Sequence, residues 1–153
     1  MSDDLTIIVP VYDEEESLPS FFSEMDSFIC NSPMPSQVLF VDDGSTDSSL
    51  KLLKEHWLTN DYCSYISLDK NYGLSSGIKA GIDHCHTSLV GYIDADLQTH
   101  PADFLAYFRY FPEYDMVNGI RAKRQDGLVK RLSSKFANAY RRLMINDDIQ
   151  DTC

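Results

Sequence analysis

Leu5-Thr-Ile-Ile-Val-Pro-Val11 decides the architecture. It is a continuous β-branched, apolar run with no polar alternation, the pattern of a strand buried on both faces of a parallel sheet. The turn Tyr12-Asp-Glu-Glu-Glu16 follows, and then a helix with Ser17 as N-cap and Pro19 in its first turn. Leu18, Phe21, Phe22, Met25, Phe28 and Ile29 recur along it at helical spacing.

The same alternation continues through the chain. After the loop Asn31–Ser36, a second strand spans Val38–Val41 and ends at Asp42-Asp-Gly-Ser-Thr-Asp47, and a helix follows from Ser48 to Trp57. Tyr65–Leu68 is a third strand, less apolar and nearer an edge. The glycine-bearing turn Asn71-Tyr-Gly-Leu-Ser-Ser-Gly77 opens a helix to His84, and Leu89–Ile93 is the fourth strand. Pro101 is expected to open a helix carrying Phe104, Leu105, Phe108 and Phe111. A fifth strand is expected over Asp115–Ile120, then a polar loop and a helix over Leu128–Met144. Strand alternating with helix means βαβ units, an α/β fold with a largely parallel sheet.

A chain of 153 residues, 43% apolar and 24% charged, is large enough for one domain with its own core. No apolar run approaches the roughly 20 residues that span a bilayer. The start, Met-Ser-Asp-Asp, is acidic where a signal peptide would be basic, so the chain reads as soluble and cytosolic. Cys30, Cys63, Cys85 and Cys153 are scattered, which fits reduced, mostly buried thiols rather than a zinc site or a disulfide framework. His84 and His86 read as a helix end entering a loop rather than half a metal site. A net charge of −11 argues against non-specific nucleic-acid binding. The charge is unevenly spread. Eight of the thirteen Lys and Arg residues lie between Arg121 and Arg142, with one acid, Asp126, among them. A basic end on an acidic body implies an anionic partner there.

In an α/β sheet the ligand crevice lies beyond the strand carboxyl ends. The acidic clusters 12–16, 42–47 and 94–98 all fall there. In Val90-Gly-Tyr-Ile-Asp-Ala-Asp-Leu-Gln98, an extended chain would turn Asp94, Asp96 and Gln98 to one side, giving three oxygen donors suited to Mg²⁺ or Mn²⁺. The alternative is a strand end with two solvated acids.

Pro10-Val-Tyr-Asp-Glu14, Val41–Asp47, Asn71–Gly77 and Asp94–Gln98 stand in the order seen in family-two inverting glycosyltransferases, and the chain resembles that family from Leu5 onward. Within it the chain is similar to the branch that charges a polyprenyl phosphate with a sugar. The dolichyl-phosphate mannosyltransferases and bacterial undecaprenyl-phosphate glycosyltransferases belong to that branch. The resemblance implies a three-layer α/β/α GT-A fold over residues 1–153, an incomplete catalytic domain with a nucleotide-sugar part and the start of an acceptor region. It implies nucleotide-sugar contacts for Pro10, Tyr12, Glu14, Asp42, Asp43, Asn71, Gly73 and Asp94. Pro10 and Tyr12 would give a base a flat surface, and Glu14 and Asp43 can accept from ribose hydroxyls or a ring N–H. Glu14 also fits a helix N-terminal acid, and Asp42 a turn-holding residue. Asp13 replaces the family's usual asparagine and lacks its amide donor. Gly77 stands where many relatives have alanine, which suggests close packing. Lys70 and Lys79 are possible phosphate partners or solvated lysines.

The resemblance makes Asp96 the firmest metal ligand and a catalytic residue, with Asp94 and Gln98 completing or orienting the site. Gly119-Ile-Arg121 and Lys130-Arg-Leu-Ser-Ser134 resemble the family's acceptor loop, so Arg121, Lys130, Arg131 and Ser134 would gather the acceptor phosphate, Arg121 and Arg131 as catalytic residues. Arg124-Gln-Asp126 is similar to the bacterial branch. The Leu128–Met144 helix is amphipathic, and either lies on an anionic membrane surface or packs on its own sheet. Asn146–Cys153 resembles the start of a further motif, so the parent is expected to continue and to be attached at the cytoplasmic face of the plasma membrane. Two other readings remain open: a family-two transferase acting on a glycan or protein hydroxyl in cell-surface polysaccharide synthesis, and a nucleotide-binding module without turnover. Rossmann redox function is disfavoured because no Gly-x-Gly-x-x-Gly follows the first strand.

Overall fold

The computed structural model describes residues 4–111 and 113–119. The chain divides into two compact units, Met1–Arg109 and Tyr110–Cys153. The first contains β1 (Leu5–Val11), α1 (Leu18–Asn31), β2 (Ser36–Asp42), α2 (Ser49–Trp57), β3 (Cys63–Ser67), α3 (Leu74–His84) and β4 (Leu89–Tyr92). The strands form one sheet in the order β3-β2-β1-β4, every pairing parallel. β3 is an edge strand, as its lower apolarity suggests.

β1 is central and buried on both faces, and its two faces feed two separate clusters. Ile7, Val9 and Val11 pack with Leu18, Phe21, Met25 and Phe28 of α1 and Leu53 of α2. Ile8, on the other face, joins Leu39 and Val41 of β2 and meets Ala80 of α3. Helices on both faces make three layers. The close approach of α3 depends on Gly81. A Cβ there would lie 2.6 Å from Cγ2 of Ile8, inside any tolerable contact. At Gly77 the added atom would meet Pro10 and Val41 no nearer than 3.7 Å, so close packing does not explain that glycine.

Pro10 sits in this central strand without an N–H. In the β1–β4 ladder the amide of Ile93 donates to the carbonyl of Ile8 at 3.2 Å. The next bond in a parallel ladder would need a donor from residue 10. Proline cannot supply it, and β4 ends there, at Tyr92.

The helix expected from Pro101 is two 3-10 segments instead, Pro101–Ala106 and Phe108–Tyr110. Phe104 packs on Phe28 with ring centroids 5.9 Å apart, and Phe108 lies stacked at 6.4 Å. Both rings thus reach Phe28 of α1, one from each 3-10 segment. The fifth strand is absent among the described residues, because 115–119 are irregular. Only Met116 and Val117 are apolar there, and the following Asn118-Gly119 is poor in strand propensity. In the second unit the described residues begin with a turn, in which the amide of Tyr114 donates to the carbonyl of Tyr110 at 2.9 Å.

Cys63 is buried, and burial, aided by Asp26, pushes its thiol up to about 12. Cys30 is exposed rather than buried, and Cys30, Cys63 and Cys85 are all free. His84 ends α3, its Nδ1 lying 2.8 Å from the carbonyl oxygen of Ala80. Among the described residues no helix is long and apolar enough to cross a membrane.

Candidate functional site

β2 and β3 lie on one side of β1 and β4 lies on the other, so the order of the strands reverses between β1 and β4. Crevices form at the carboxyl ends of strands where the order reverses. Here the loops leaving β1 and β4 flank that point. The register pairs Ile8 with Tyr92, the last pair before the two loops.

The β1 loop is held by a network the sequence only partly revealed. Asp13 has φ 53°, a left-handed conformation that aspartate tolerates better than most residues. Its Oδ1 accepts from the backbone N–H of Thr46 at 2.7 Å and of Asp47 at 3.3 Å, while its own amide donates to Ser45 Oγ at 3.1 Å. These bonds call on the side chain only as an acceptor, so the missing asparagine amide does not weaken them. Glu15 Oε2 accepts from the amide of Ser48 at 2.9 Å, and its own N–H donates to Asp47 Oδ2 at 3.1 Å. Burial works against ionisation of Asp47, but hydrogen bonds from Ser49 and from the Glu15 amide outweigh it and hold the carboxyl below its ordinary value. Ser45, Thr46 and Asp47 read as turn formers in sequence; their partners 30 or more residues away were not visible there.

Glu14 is half-buried and engaged by Ser17, whose hydroxyl donates to Oε2 at 2.5 Å. Ser17 is the N-cap of α1, yet its side chain makes no cap bond. Pro10 is half-buried, and Tyr12 is 44% exposed.

Asp42 and Asp43 are both buried. Asp42 accepts from the hydroxyl of Ser67 at 2.8 Å and from the amide of Ser45 at 3.2 Å. Asp43 accepts from the backbone N–H of Tyr72 through Oδ1 and of Gly73 through Oδ2, both at 2.8 Å. The turn before α3 therefore gives two amides to a carboxylate of the protein. Asn71 is exposed, and its Oδ1 accepts from the same Gly73 amide at 2.9 Å. Gly44 makes the close approach of the two loops possible: its φ is 72°, and a Cβ there would lie 2.4 Å from the Lys70 carbonyl carbon. Lys70 rests its ammonium 5.1 Å from the ring centre of exposed Tyr72, and Lys79 pairs with Asp83 at 2.5 Å.

On the other flank, side chains alternate past the end of β4. Ile93 and Ala95 are buried, Asp94 is half-buried and Asp96 is exposed. The alternation stops at Leu97, whose φ is 59°. There Asp96 Oδ1 accepts from the amide of Gln98 at 2.9 Å, closing a tight Asx turn. Gln98 is exposed, placed by this turn rather than by a continuing strand. Asp94 accepts a hydrogen bond from the phenol of Tyr92, a residue sequence reading passed over. The i, i+2 spacing in Tyr-Ile-Asp was the available signal. Two carboxylates and an amide oxygen suit a hard divalent ion, although among the described residues no group of three His, Cys, Asp or Glu forms a ready-made cage. Arg121, Lys130, Arg131 and Ser134, and the helix expected over Leu128–Met144, lie outside the described residues.

The chain is similar to known proteins both in sequence and in fold. The undecaprenyl-phosphate 4-deoxy-4-formamido-L-arabinose transferase of Pectobacterium carotovorum is 36% identical over 143 residues, 90% of this chain and 44% of the relative. The enzyme of the same name from Klebsiella pneumoniae is 32% identical over 88% of this chain and 42% of its own. The chain thus spans less than half the length of the curated relatives it matches. Among solved structures, the mannosyltransferase PcManGT of Pyrobaculum calidifontis, in complex with GDP-Man and Mn²⁺, superposes with a TM-score of 0.54 at 20% identity, over 63% of this chain and 30% of that one. S. aureus TarS 1-349 in complex with UDP gives 0.57 at 17% identity, over 81% and 38%. These likenesses identify a GT-A type fold. The sequence matches the model for Glycosyl transferase family 2 over residues 6–152, nearly its whole length, and the chain belongs to that family.

Proposed function

We propose that this chain is the nucleotide-sugar-binding part, with the start of the acceptor region, of an enzyme that moves a sugar from a UDP- or GDP-sugar to a polyprenyl phosphate with inversion. The observation that carries the reading is the reversal of strand order between β1 and β4, with the acid-rich loops of both strands beside it. The lipid acceptor is suggested by the undecaprenyl-phosphate relatives.

In this reading Tyr12 offers its exposed ring to the base beside Pro10, and Glu14 faces the ribose. Asp43 and Asp42 act mainly by holding Asn71–Gly73 and the Gly44 turn in place, so that α3 begins beside the diphosphate. Asp94, Asp96 and Gln98 would hold Mg²⁺ or Mn²⁺, which when bound offsets charge on the nucleoside diphosphate leaving group. Arg121, Lys130, Arg131 and Ser134 collect the acceptor phosphate. That phosphate has a second pKa near 6 and is already ionised at neutral pH, so attack on the anomeric carbon needs no strong protein base. The basic segment carrying these residues would meet the anionic lipid surface at the cytoplasmic face of the membrane.

The test has two stages. Thermal shifts with UDP, GDP and their common sugars, each with and without Mn²⁺, are expected to give metal-dependent stabilisation by one nucleotide series. The full-length parent, given a radiolabelled donor and polyprenyl phosphate, is expected to put label into the organic phase. Label that stays aqueous on a glycan or protein would exclude the lipid acceptor.

A further inference from the structure

We propose that Tyr92 is a positioning residue for the cation at this site, acting by holding the Asp94 carboxylate. The inference rests on the metal-site reading above and extends it to a residue that reading does not use. Tyr92 is the last residue of β4, and Asp94 follows at i+2, on the same side of the chain. The buried side chains of Ile93 and Ala95 fix the backbone on either side of Asp94. The tyrosine phenol donates to Asp94 Oδ1. A carboxylate on the rim of a crevice otherwise has free rotation about its Cβ–Cγ bond. With Oδ1 tethered, Oδ2 is presented in a restricted set of directions, and the ordering cost of capturing a cation falls. The ring is 41% exposed, so it contributes little to the core and its hydroxyl can be removed without opening a cavity. Because Pro10 ends the ladder here, the segment depends more on side-chain bonds of this kind.

The experiment measures Mn²⁺ uptake, read from the loss of the free-ion electron paramagnetic resonance signal. The 153-residue chain is used with equimolar UDP or GDP, against a nucleotide-only blank. Four proteins are compared: wild type, Tyr92→Phe, Asp94→Asn and the double variant. Uptake is expected to weaken roughly tenfold in Tyr92→Phe, the low end of the cost of losing an outer partner of a metal ligand. Its melting temperature is expected to stay near wild type. In the Asp94→Asn background the Phe substitution is expected to add nothing, because the two act through one carboxylate. A full Tyr92→Phe effect persisting in Asp94→Asn, or no effect in either background, would overturn the role of Tyr92. Undiminished uptake in Asp94→Asn would instead remove Asp94 from the metal-site reading, and the Tyr92 inference with it, whereas no Mn²⁺ uptake by the wild type would remove the metal-site reading itself.

Discussion

Asp43, buried at the end of β2, accepts the backbone amide of Gly73 at 2.8 Å, and so ties the second acidic motif to the turn that opens α3. Its other oxygen takes the amide of Tyr72 at the same distance. Two motifs about thirty residues apart are therefore one structural unit. Asp43→Ala is expected to leave the Tyr72 amide without its partner, at about 1–3 kcal/mol, while the Gly73 amide keeps only its bond to Asn71 Oδ1. Urea denaturation is the measurement, and nucleotide-induced thermal shifts should vanish in the same variant. A variant with wild-type stability would show that the two bonds are not formed in solution.

Gly77 and Gly81 lie on the same helix, yet alanine should separate them. Gly77→Ala meets only ordinary contacts and gains helix propensity, so it is expected to be neutral or to stabilise by up to about 1 kcal/mol. Gly81→Ala drives a methyl into Ile8 and is expected to destabilise by about 1–3 kcal/mol. Paired denaturation curves decide it.

Asp96→Ala is expected to abolish the Mn²⁺-dependent part of UDP or GDP binding while leaving the fold intact, because Asp96 is exposed and closes only its local turn. Calorimetry with and without Mn²⁺ measures this. Equal metal dependence in wild type and variant would deny Asp96 a role as ligand.

His56 is the histidine expected to oppose acid. Its ring stacks on Phe22 at 4.0 Å with 10% of the side chain exposed, and burial holds its pKa below the ordinary value, against the pull of Asp26. A histidine kept neutral by folding contributes stability that is complete above its unfolded pKa, about 6.5. That stability is lost as pH falls through the folded value. Wild type should therefore lose more stability than His56→Phe between pH 7.5 and 5.5, measured by urea midpoints.

His100 should behave in the opposite sense. Its Nδ1 lies 2.7 Å from Glu24 Oε2, and the hydrogen bond and charge of Glu24 raise its pKa. The pair's contribution is present below the unfolded value of about 6.5 and fades as pH rises through the higher folded value. The stability gap between wild type and His100→Gln is expected to be small, because the pair is exposed. It should be larger at pH 6 than at pH 9, and a gap independent of pH would rule out the ion pair.

Sequence alone determined the parallel α/β plan and the strands that carry the acidic loops. The cause is local: a two-faced apolar run at β1, the helical period of α1, and turn residues after each strand are properties of neighbouring residues. The expected helix after Pro101 and the strand at Asp115 mark where that logic stops, since short aromatic or weakly apolar stretches take their form from what they pack against. The tertiary structure alone decided that strand order reverses between β1 and β4, with the loops of these two neighbouring strands flanking that point. It also decided that Asp13 and Asp43 spend their carboxylates on distant backbone amides. Bonds between residues thirty positions apart leave no periodic trace in a sequence, because they exist only once the crossover helices have brought the strand ends together.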